Sequence, residues 1–284
     1  MNESPNSPVV YRYDRFPQPF TCDISTSMTA GNSEFHMHNR YEIYFLIDGH
    51  LQYFVENVCY PLEPGSLILF STNEIHKAVN SSGQPFTRLV IHLHPDFVRQ
   101  YCTPSTNLLA CFHRKPGVSN LVPLSGAQQK KLLSMARETR QAMQRPGEYG
   151  SDLLAAASIL QILIFINQAW QKAAPAPAAP IPRHTQAVMD YIDAHLSSPM
   201  TLDSIARALS MDKYYLSHTF KLQTQSTIFQ YILVRRVALA KSLLAQGYTV
   251  AETCHLSGFN DYSNFIRTFK KVTGATPGKF RRPL

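Results

Sequence analysis

Three histidines and one glutamate near the N-terminus are residue types that bind metal ions: His36, His38, Glu42 and His76. The first three occupy even-numbered positions of one short segment. Because side chains alternate along a β-strand, these three are expected to share one face. Imidazole nitrogens and a carboxylate oxygen are suitable ligands for zinc, iron, manganese or nickel. The residue types therefore indicate a candidate divalent metal site.

The same four side chains have two other interpretations. They can line a pocket and hydrogen-bond a small effector without a metal. They can also be structural, in a strand stabilised by the nearby Arg40 and Tyr41. Two more histidines, His92 and His94, share a face and either line the same space or cover it. All three interpretations remain open.

The residues around these histidines, from about 20 to 95, have the pattern of short β-strands. Runs rich in Tyr, Ile, Phe and Val alternate with turn residues, and they read EIYFLIDG, LQYFVENVCY, SLILFS and TRLVIHLH. This spacing predicts an antiparallel sandwich or a small barrel. The candidate ligands would lie inside it.

Two helices are predicted after residue 95. Residues 125–144 have helical spacing of apolar residues, and Pro146-Gly147 ends that helix. Residues 152–170 are apolar nearly all round, which is typical of a buried helix. Ser158, Gln161 and Asn167 interrupt this run, which barely reaches the length that spans a membrane. We expect the two helices to pair.

Residues 173–182, which read AAPAPAAPIP, separate two dissimilar parts of the chain. Alternating Ala and Pro resist helix formation and favour an extended polyproline II conformation. A semi-rigid linker between two domains is therefore predicted, and a length of 284 residues fits two domains.

Residues 185–283 contain an internal repeat. At an offset of 49 residues, six identities fall in one short segment: Asp212/Asp261, Thr219/Thr268, Phe220/Phe269, Lys221/Lys270, Thr224/Thr273 and Thr227/Thr276. Each copy is predicted to be a short helix, a turn and a second helix. In the first copy Thr201 is the expected N-cap of the first helix, and Asp212 caps the second. Two copies are too few for a solenoid, so they should present two equivalent helices to one long ligand.

The second helix of each copy has an outward face suited to DNA. The groups on these faces reach base edges or phosphates, and they are Tyr214, Ser217, His218 and Lys221 in copy one and Ser263, Arg267, Lys270 and Lys271 in copy two. The inward face of copy two is expected to hold Tyr262, Phe265, Ile266 and Phe269. A long helix over residues 229–244 would hold the two copies apart, at the spacing of successive major-groove segments, about 34 Å.

Positive charge is concentrated in the repeat. Residues 183–284 hold 13 Lys and Arg against 6 Asp and Glu, a net charge of +7, whereas residues 1–182 hold 14 against 13, a net charge of +1. Such segregation favours a phosphate-binding surface. The alternative is a helical module that binds another protein.

The C-terminal third resembles the DNA-binding domain of the AraC/XylS family of bacterial transcription regulators. The matching segments are TLDSIARALSMDKYYLSHTFK, YILVRRVALAKSLL and GFNDYSNFIRTFKKVTGATPGKFRR. The resemblance implies that two helix-turn-helix units read adjacent major grooves. The base-reading residues implied by position are Tyr214, Ser217 and His218 in the first unit and Ser263, Ile266 and Arg267 in the second.

Three of these positions carry further expectations. Arg267 can pair with guanine O6 and N7 through both of its terminal nitrogens. Ile266 either touches a thymine methyl group or packs in the core. His218 stands where many relatives carry Arg. Lys221 and Lys270 complete the expected DNA-binding set.

The N-terminal region resembles the two cupin motifs. The residues that carry the likeness are His36, His38, Glu42 and Gly49 for the first motif, and Pro64, Gly65, His76 and Asn80 for the second. In cupin enzymes the three histidines and the glutamate bind a metal, which implies His36, His38, Glu42 and His76 here. The chain departs from the motifs at Gly31, one residue too close to His36, and at Ser71 and Asn73, which replace Pro and Gly.

These resemblances imply an α+β protein that acts as a one-component transcription regulator. Residues 1–170 would be a cupin-like effector-binding and dimerisation domain with a helical hairpin, residues 171–182 the linker and residues 183–284 the DNA-binding domain. The hairpin would join two copies of the chain, and the alternative is that it only packs on the β-rich region of its own chain. The implied partners are double-stranded promoter DNA, a small effector such as a sugar, a second copy of the chain and RNA polymerase. Family habit favours activation. The rival interpretation is a metal-dependent cupin enzyme fused to a DNA-binding domain.

Five scattered cysteines bear on the cellular compartment: Cys22, Cys59, Cys102, Cys111 and Cys254. Their odd number and the lack of a C-x-x-C pair predict free thiols in a reducing cytoplasm, rather than disulfides or a structural zinc site. The N-terminal NESPNSP lacks the basic-then-apolar pattern of an export signal. No membrane partner is expected.

Overall fold

A computed structural model describes residues 18–29, 34–72, 74–114, 118–173 and 181–280. Its strands are β1 (Phe20–Ser27), β2 (Tyr41–Asp48), β3 (Leu51–Val55), β4 (Val58–Leu62), β5 (Leu67–Phe70), β6 (His76–Val79), β7 (Phe86–Leu93) and β8 (Leu121–Val122). They form a five-stranded sheet in the order β1-β7-β2-β5-β8 and a three-stranded sheet in the order β4-β3-β6. Every paired strand is antiparallel to its neighbour, which confirms the predicted β-rich N-terminal domain.

Strand β2 is buried on both faces, and each face belongs to a different core. Ile43 and Phe45 pack among apolar side chains of the helical layer. Tyr44 and Leu46 pack with residues of the smaller sheet. Because side chains alternate along a strand, Glu42 shares the inward face with Tyr44 and Leu46. A carboxylate is thereby placed in the interior between the two sheets.

Three helices follow the sheets: α1 (Pro95–Arg99), α2 (Gly126–Met143) and α3 (Ser151–Lys172). Helix α2 begins with a capping box, in which the Ser125 side chain accepts from Gln128 N and the Gln128 side chain accepts from Ser125 N. Helices α2 and α3 pack on each other and on the outward face of the larger sheet. The predicted helix pair is thus present.

Helix α3 is half-buried, not covered all round as its sequence suggested. Ile159, Ile162 and Ile166 are buried, but Leu153 and Leu154 are 70% and 64% exposed. The reason is its place in the outer layer, where only one side meets α2 and the sheet. By length and composition alone α3 is apolar enough to cross a membrane, but its buried face belongs to the core of the domain.

The C-terminal region is helical: α4 (Arg183–Ala194), α5 (Leu202–Ala208), α6 (Lys213–Thr224), α7 (Ile228–Ala245), α8 (Val250–Leu256) and α9 (Tyr262–Thr273), followed by a short 3-10 helix at Pro277–Lys279. The two copies of the repeat are α5 with α6 and α8 with α9. Their first helices have 7 residues each and their second helices 12 each. The helical prediction for this domain is confirmed.

The two copies have matching helix caps. Thr201 and Thr249 form capping boxes at the starts of α5 and α8. Asp212 and Asp261 accept backbone N–H groups at the starts of α6 and α9. The repeat in sequence is therefore also a repeat of local hydrogen bonding.

The turn in each copy has a residue in the left-handed region: Ser210 (φ 55°) in copy one and Gly258 (φ 82°) in copy two. These positions are 48 residues apart, whereas the second helices are 49 apart, because the second turn is one residue longer. A Cβ atom on Gly258 would lie 2.0 Å from the Leu196 carbonyl oxygen. Glycine is therefore required at this position.

The two domains pack directly against each other. Phe35, Met37 and Val79 share one buried cluster with residues of α4, α6 and α7. The Phe35 ring lies 4.9 Å from that of Tyr231 on α7. No pattern in the sequence indicated this interface. The linker prediction falls mainly on residues 174–180, which lie outside the described residues.

Candidate ligand pocket and nucleic-acid interface

The predicted ligands come together, although not on one strand. His36 pairs with His76 by two backbone hydrogen bonds, of 3.1 and 2.9 Å. A bend at Asn39 and Arg40 separates His38 from Glu42, which lies on β2. The expectation of a single strand was wrong, because the chain turns before β2 begins. The side chains nevertheless converge between the sheets.

The Glu42 carboxylate is the centre of the cluster. Its Oε2 lies 2.7 Å from His38 Nε2, 3.3 Å from His92 Nε2 and 3.5 Å from His76 Nε2. His36 joins through its ring, 4.3 Å from that of His76. One carboxylate is thus faced by three imidazoles, with a fourth alongside.

His92 belongs to this cluster, and His94 does not. His92 lies on β7 directly opposite Glu42 on β2, so the two side chains share a face. His94 is the N-cap of α1, where its side chain accepts from Asp96 N. Alternation had placed both on one face, but only the strand pairing shows that His92 meets Glu42.

Each histidine holds a hydrogen bond through Nδ1. Backbone carbonyl oxygens face this nitrogen in His36, His38 and His76, at 3.2, 2.9 and 2.8 Å. A carbonyl only accepts, so Nδ1 carries a proton in each of these histidines. Nε2 then presents a lone pair in the neutral imidazole and an N–H that can donate to Glu42 in the protonated one. His92 Nδ1 lies 3.2 Å from Thr21 Oγ1. The arrangement is that of imidazoles oriented as metal ligands.

Burial and mutual contact shift the pKa values of these groups in different directions. Burial lowers the pKa of His38 to about 4 and that of His36 well below its usual range. Burial also opposes the charged form of Glu42, but the surrounding imidazoles, His38 first, hold its pKa well below normal. Burial also disfavours the charged form of His76, but its contact with Glu42 outweighs this and raises the pKa of His76. The pocket therefore presents a carboxylate, two imidazoles that burial keeps neutral, and one whose protonated form the carboxylate favours.

A second cavity, of about 450 Å³, lies between β1, α1 and the α2–α3 connection. It is lined by aromatic and aliphatic groups such as Phe20, Phe97 and Met143, and Asp152 is its one charged lining residue among those described. It shares no residue with the histidine cluster. Its lining suits an apolar molecule.

The predicted DNA-reading residues of α6 lie on its outer surface. Tyr214 is 75% exposed, and His218 and Lys221 are also exposed, whereas Ser217 is half-buried. Leu216 and Phe220 on the opposite side are buried in the core. The division of this helix into an outer polar face and an inner apolar face is as expected.

Helix α9 exposes Ser263, Arg267 and Lys270. Ile266 is half-buried and packs against the core. Tyr262 is 51% exposed, so its predicted inward position was wrong. It is the first residue of the helix, where Phe265 and Phe269 already fill the space beneath.

Helix α7 connects the two units and is more than a spacer. Its 18 residues give a length of about 27 Å. Arg236 donates to the carbonyl oxygens of Leu196 and Ser198 at 3.1 and 2.8 Å. Arg235 forms ion pairs with Glu56 and Asp193. These two cations are occupied within the protein, so the charge count overstates the charge free for phosphate.

Comparison with known proteins matches both domains. The family model described as "AraC-like ligand binding domain" matches residues 26–163, and the model described as "Helix-turn-helix domain" matches residues 205–283.

Individual proteins are similar to this chain over different lengths. The arabinose operon regulatory protein of Escherichia coli is 27% identical over 229 residues, which cover 80% of this chain and 74% of that one. The uncharacterised regulator YijO of Escherichia coli is 37% identical over 99 residues, 34% of this chain, and the chain spans only about a third (35%) of the length of that relative. The crystal structure of ToxT from Vibrio cholerae aligns with 92% of this chain and 96% of its own, at 16% identity and a TM-score of 0.37. The chain belongs to the AraC family of DNA-binding transcriptional regulators, with the ligand-binding domain preceding the helix-turn-helix domain.

Proposed function

We propose that this protein is a sequence-specific regulator that activates transcription from promoter DNA in response to a ligand held between its two sheets. Residues 1–170 would bind the ligand and residues 183–284 the DNA. The observation that carries the proposal is the pair of equivalent helices, α6 and α9, each with an exposed polar face and each capped in the same way. Helix α7 packs with both of them in one buried core.

The DNA contacts would divide between base reading and phosphate binding. Tyr214, Ser217 and His218 on α6, and Ser263 and Arg267 on α9, would face base edges in two successive stretches of major groove. The half-buried Ile266 would reach a thymine methyl group with the part of its side chain that remains accessible. Lys221 and Lys270 would contact phosphates, which contributes affinity without sequence preference.

One short segment links the pocket to the DNA-binding domain. His36 and His38 face the pocket, while Phe35 and Met37, which alternate with them, pack into the cluster shared with the C-terminal helices. Glu34 accepts a hydrogen bond from the Ser226 hydroxyl, just before α7. A ligand that shifts the two imidazoles would therefore also shift side chains that touch the DNA-binding domain.

The turn between β3 and β4 forms a second link. Its residue Glu56 (φ 49°) holds a left-handed conformation and forms an ion pair with Arg235 on α7. The next residue, Asn57, donates to Asp193 Oδ2 on α4 at 2.8 Å. A ligand can change the affinity for DNA only by favouring one domain arrangement over another. These polar contacts between the domains would form in one arrangement and be lost in the other.

The effector site would be formed by His36, His38, Glu42 and His76, joined by His92. Its convergent polar groups suit a small polar effector such as a sugar, and they equally suit a divalent metal. The same cluster is the specific observation that favours the rival function, a metal-dependent cupin enzyme fused to a DNA-binding domain. Turnover of a small substrate by the purified chain would establish the enzyme. Ligand-dependent DNA binding without turnover favours the regulator.

The helical pair would join two copies of the chain, since Leu153, Leu154 and Ile164 of α3 are exposed apolar side chains. A homodimer would place two DNA-binding domains on one promoter in the cytoplasm, where RNA polymerase is the further partner of an activator. Sedimentation of wild type against Leu154→Glu tests the pairing. A monomeric wild type would contradict it.

Selection from a random DNA library tests the central proposal. The full chain should recover one sequence with two recognition segments about one helical turn apart. Affinity for that site should exceed affinity for scrambled DNA by about 10³-fold or more. Equal retention of all sequences, or no salt-dependent binding to duplex DNA, would refute sequence-specific regulation.

A further inference from the structure

We propose that the N-terminal domain binds a divalent transition-metal ion between its two sheets through His38, His76, His92 and Glu42. In this set His92 takes the place that the cupin motif gives to His36. The inference deepens the ligand-binding function proposed above and rests on it. The proposed ligand set differs from the set that the cupin motif implies in one residue, so mutation of His92 or His36 distinguishes the two sets.

The distances from Glu42 to two of the imidazoles fit a metal. The ligand atoms of His38, Glu42 and His92 all lie within 4.8 Å of one another, and so do those of His36, His38 and His76. Ligand atoms at 2.0–2.2 Å from a tetrahedral zinc ion are about 3.3–3.5 Å apart. Glu42 Oε2 lies 3.3 Å from His92 Nε2 and 3.5 Å from His76 Nε2. His38 Nε2, at 2.7 Å, is a hydrogen bond's length away and would need to retreat by about 0.6 Å.

The proton positions also favour a cation at the centre. The carbonyl oxygens of Arg40 and Glu74 fix the protons of His38 and His76 on Nδ1. In the neutral form of each imidazole, the Nε2 lone pair then points towards a carboxylate that is itself an acceptor. His76 Nε2 is fully buried and has no hydrogen-bond partner among the described residues. A buried acceptor without a partner is costly, and a metal ion would satisfy all these lone pairs together.

His36 fits the set less well than His92. His38, His76 and His92 each place Nε2 within 3.5 Å of Glu42 Oε2, and no such contact joins His36 to Glu42 among the described residues. The neighbours of His36 are the rings of His38 and His76, at 6.1 and 4.3 Å. A set that includes the carboxylate partly neutralises the ion, which a site of imidazoles alone cannot do.

The donor chemistry limits the kind of metal. Three imidazole nitrogens with one carboxylate oxygen suit zinc, iron(II), cobalt(II) or nickel(II), and they do not suit calcium or magnesium, which prefer oxygen ligands. When bound, such an ion would supply a Lewis-acidic centre for an oxygen atom of a small effector. The chain's own residues would fix its place and its charge.

Cobalt(II) titration of the full chain tests the assignment, after the protein has been stripped with a chelator. Wild type should take up one equivalent, seen by its visible d–d absorption and by mass spectrometry. His92→Ala should weaken binding by about 100-fold or more, because a ligand is lost, whereas His36→Ala should change it by about threefold or less. His50→Ala, at an exposed histidine, is the matched control and should have no effect.

A second pair of variants guards against a folding defect. His92→Cys should give a thiolate-to-cobalt charge-transfer band, because residue 92 would be bonded to the metal. His36→Cys should give none. A band in the second variant and none in the first would overturn the assignment in favour of the motif set, as would loss of binding in His36→Ala alone.

Parallel DNA binding separates the two proposals. If wild type binds no cobalt or zinc but still selects one DNA sequence, the metal assignment is wrong and the regulator remains. If it binds metal but no DNA, the proposed function is wrong and the metal site remains.

Discussion

Tyr231 Oη donates a 2.9 Å hydrogen bond to Asn57 Oδ1, which joins helix α7 to the turn between β3 and β4. The same tyrosine is fully buried, and its ring contacts Phe35 beside the histidine cluster. One side chain on α7, the helix between the two helix-turn-helix units, therefore contacts the N-terminal domain at two places. Changes in either domain would be felt at this residue.

Tyr231→Phe tests the strength of this joint. The variant keeps the ring and removes the hydroxyl, so Asn57 loses a buried donor, and the free energy of unfolding should fall by about 0.5–1.5 kcal/mol. Urea unfolding followed by fluorescence measures it. Tyr214→Phe, at an exposed tyrosine of α6, should leave stability unchanged. Equal midpoints for Tyr231→Phe and wild type would mean that the contact contributes nothing.

Arg267→Ala tests base reading by α9. Losing a bidentate contact to guanine should cost about 1–3 kcal/mol at the selected site and relax preference at one base pair. Arg267→Lys is the matched control, because it keeps the charge but loses the fork geometry, and it should show the same relaxed preference. Competition binding against single-base variants measures both. Unchanged preference at every position would show that α9 is misassigned.

Lys270→Ala tests phosphate binding. Affinity should fall by a similar factor for every DNA sequence, and the slope of log affinity against log salt should become shallower by about 0.9. Lys130→Ala, at an exposed residue of α2 in the N-terminal domain, should keep the wild-type slope. Fluorescence anisotropy at a series of salt concentrations measures both. An effect of Lys270→Ala confined to one sequence would instead indicate a base contact.

The C-caps of α6 and α9 provide a test of the repeat. Gln225 and Gly274 occupy equivalent positions, with φ of 52° and 74°. Gln225→Gly should raise the free energy of unfolding by about 0.5–1 kcal/mol by relieving left-handed strain. Gly274→Ala should lower it by about 1 kcal/mol for the opposite reason. Calorimetry measures both, and shifts of the same sign would contradict equivalence of the two caps.

The repeat and its helices could be read from the sequence because their signals are local. Thr201 and Asp212 cap α5 and α6 through atoms two or three residues away, and the apolar period of each helix lies in the same few residues. The same holds for the strands and for α2. Tyr262 was misplaced because its exposure depends on Phe265 and Phe269, which take the space beneath it.

The long helix predicted over residues 229–244 illustrates an intermediate case. The helix was predicted from its period, and α7 spans Ile228–Ala245. Arg235 and Arg236 were counted towards a DNA-binding surface. Their partners instead lie in α4, in the turn between β3 and β4, and in the connection before α5. Charge can be counted along a chain, but whether a charge is free depends on what folds against it.

By itself the sequence determined the order of the elements, the duplicated helix-turn-helix unit and four members of the histidine–glutamate cluster, since each rests on neighbours in the chain. Tertiary structure alone decided that His92 meets Glu42 and that Tyr231 meets Asn57 and Phe35. The first contact depends on the pairing of β7 with β2. The second depends on packing between the two domains, which brings together Asn57 and Tyr231, 174 residues apart in sequence. Such contacts form only when distant strands pair and distant side chains pack together. No residue pattern within either segment predicts them.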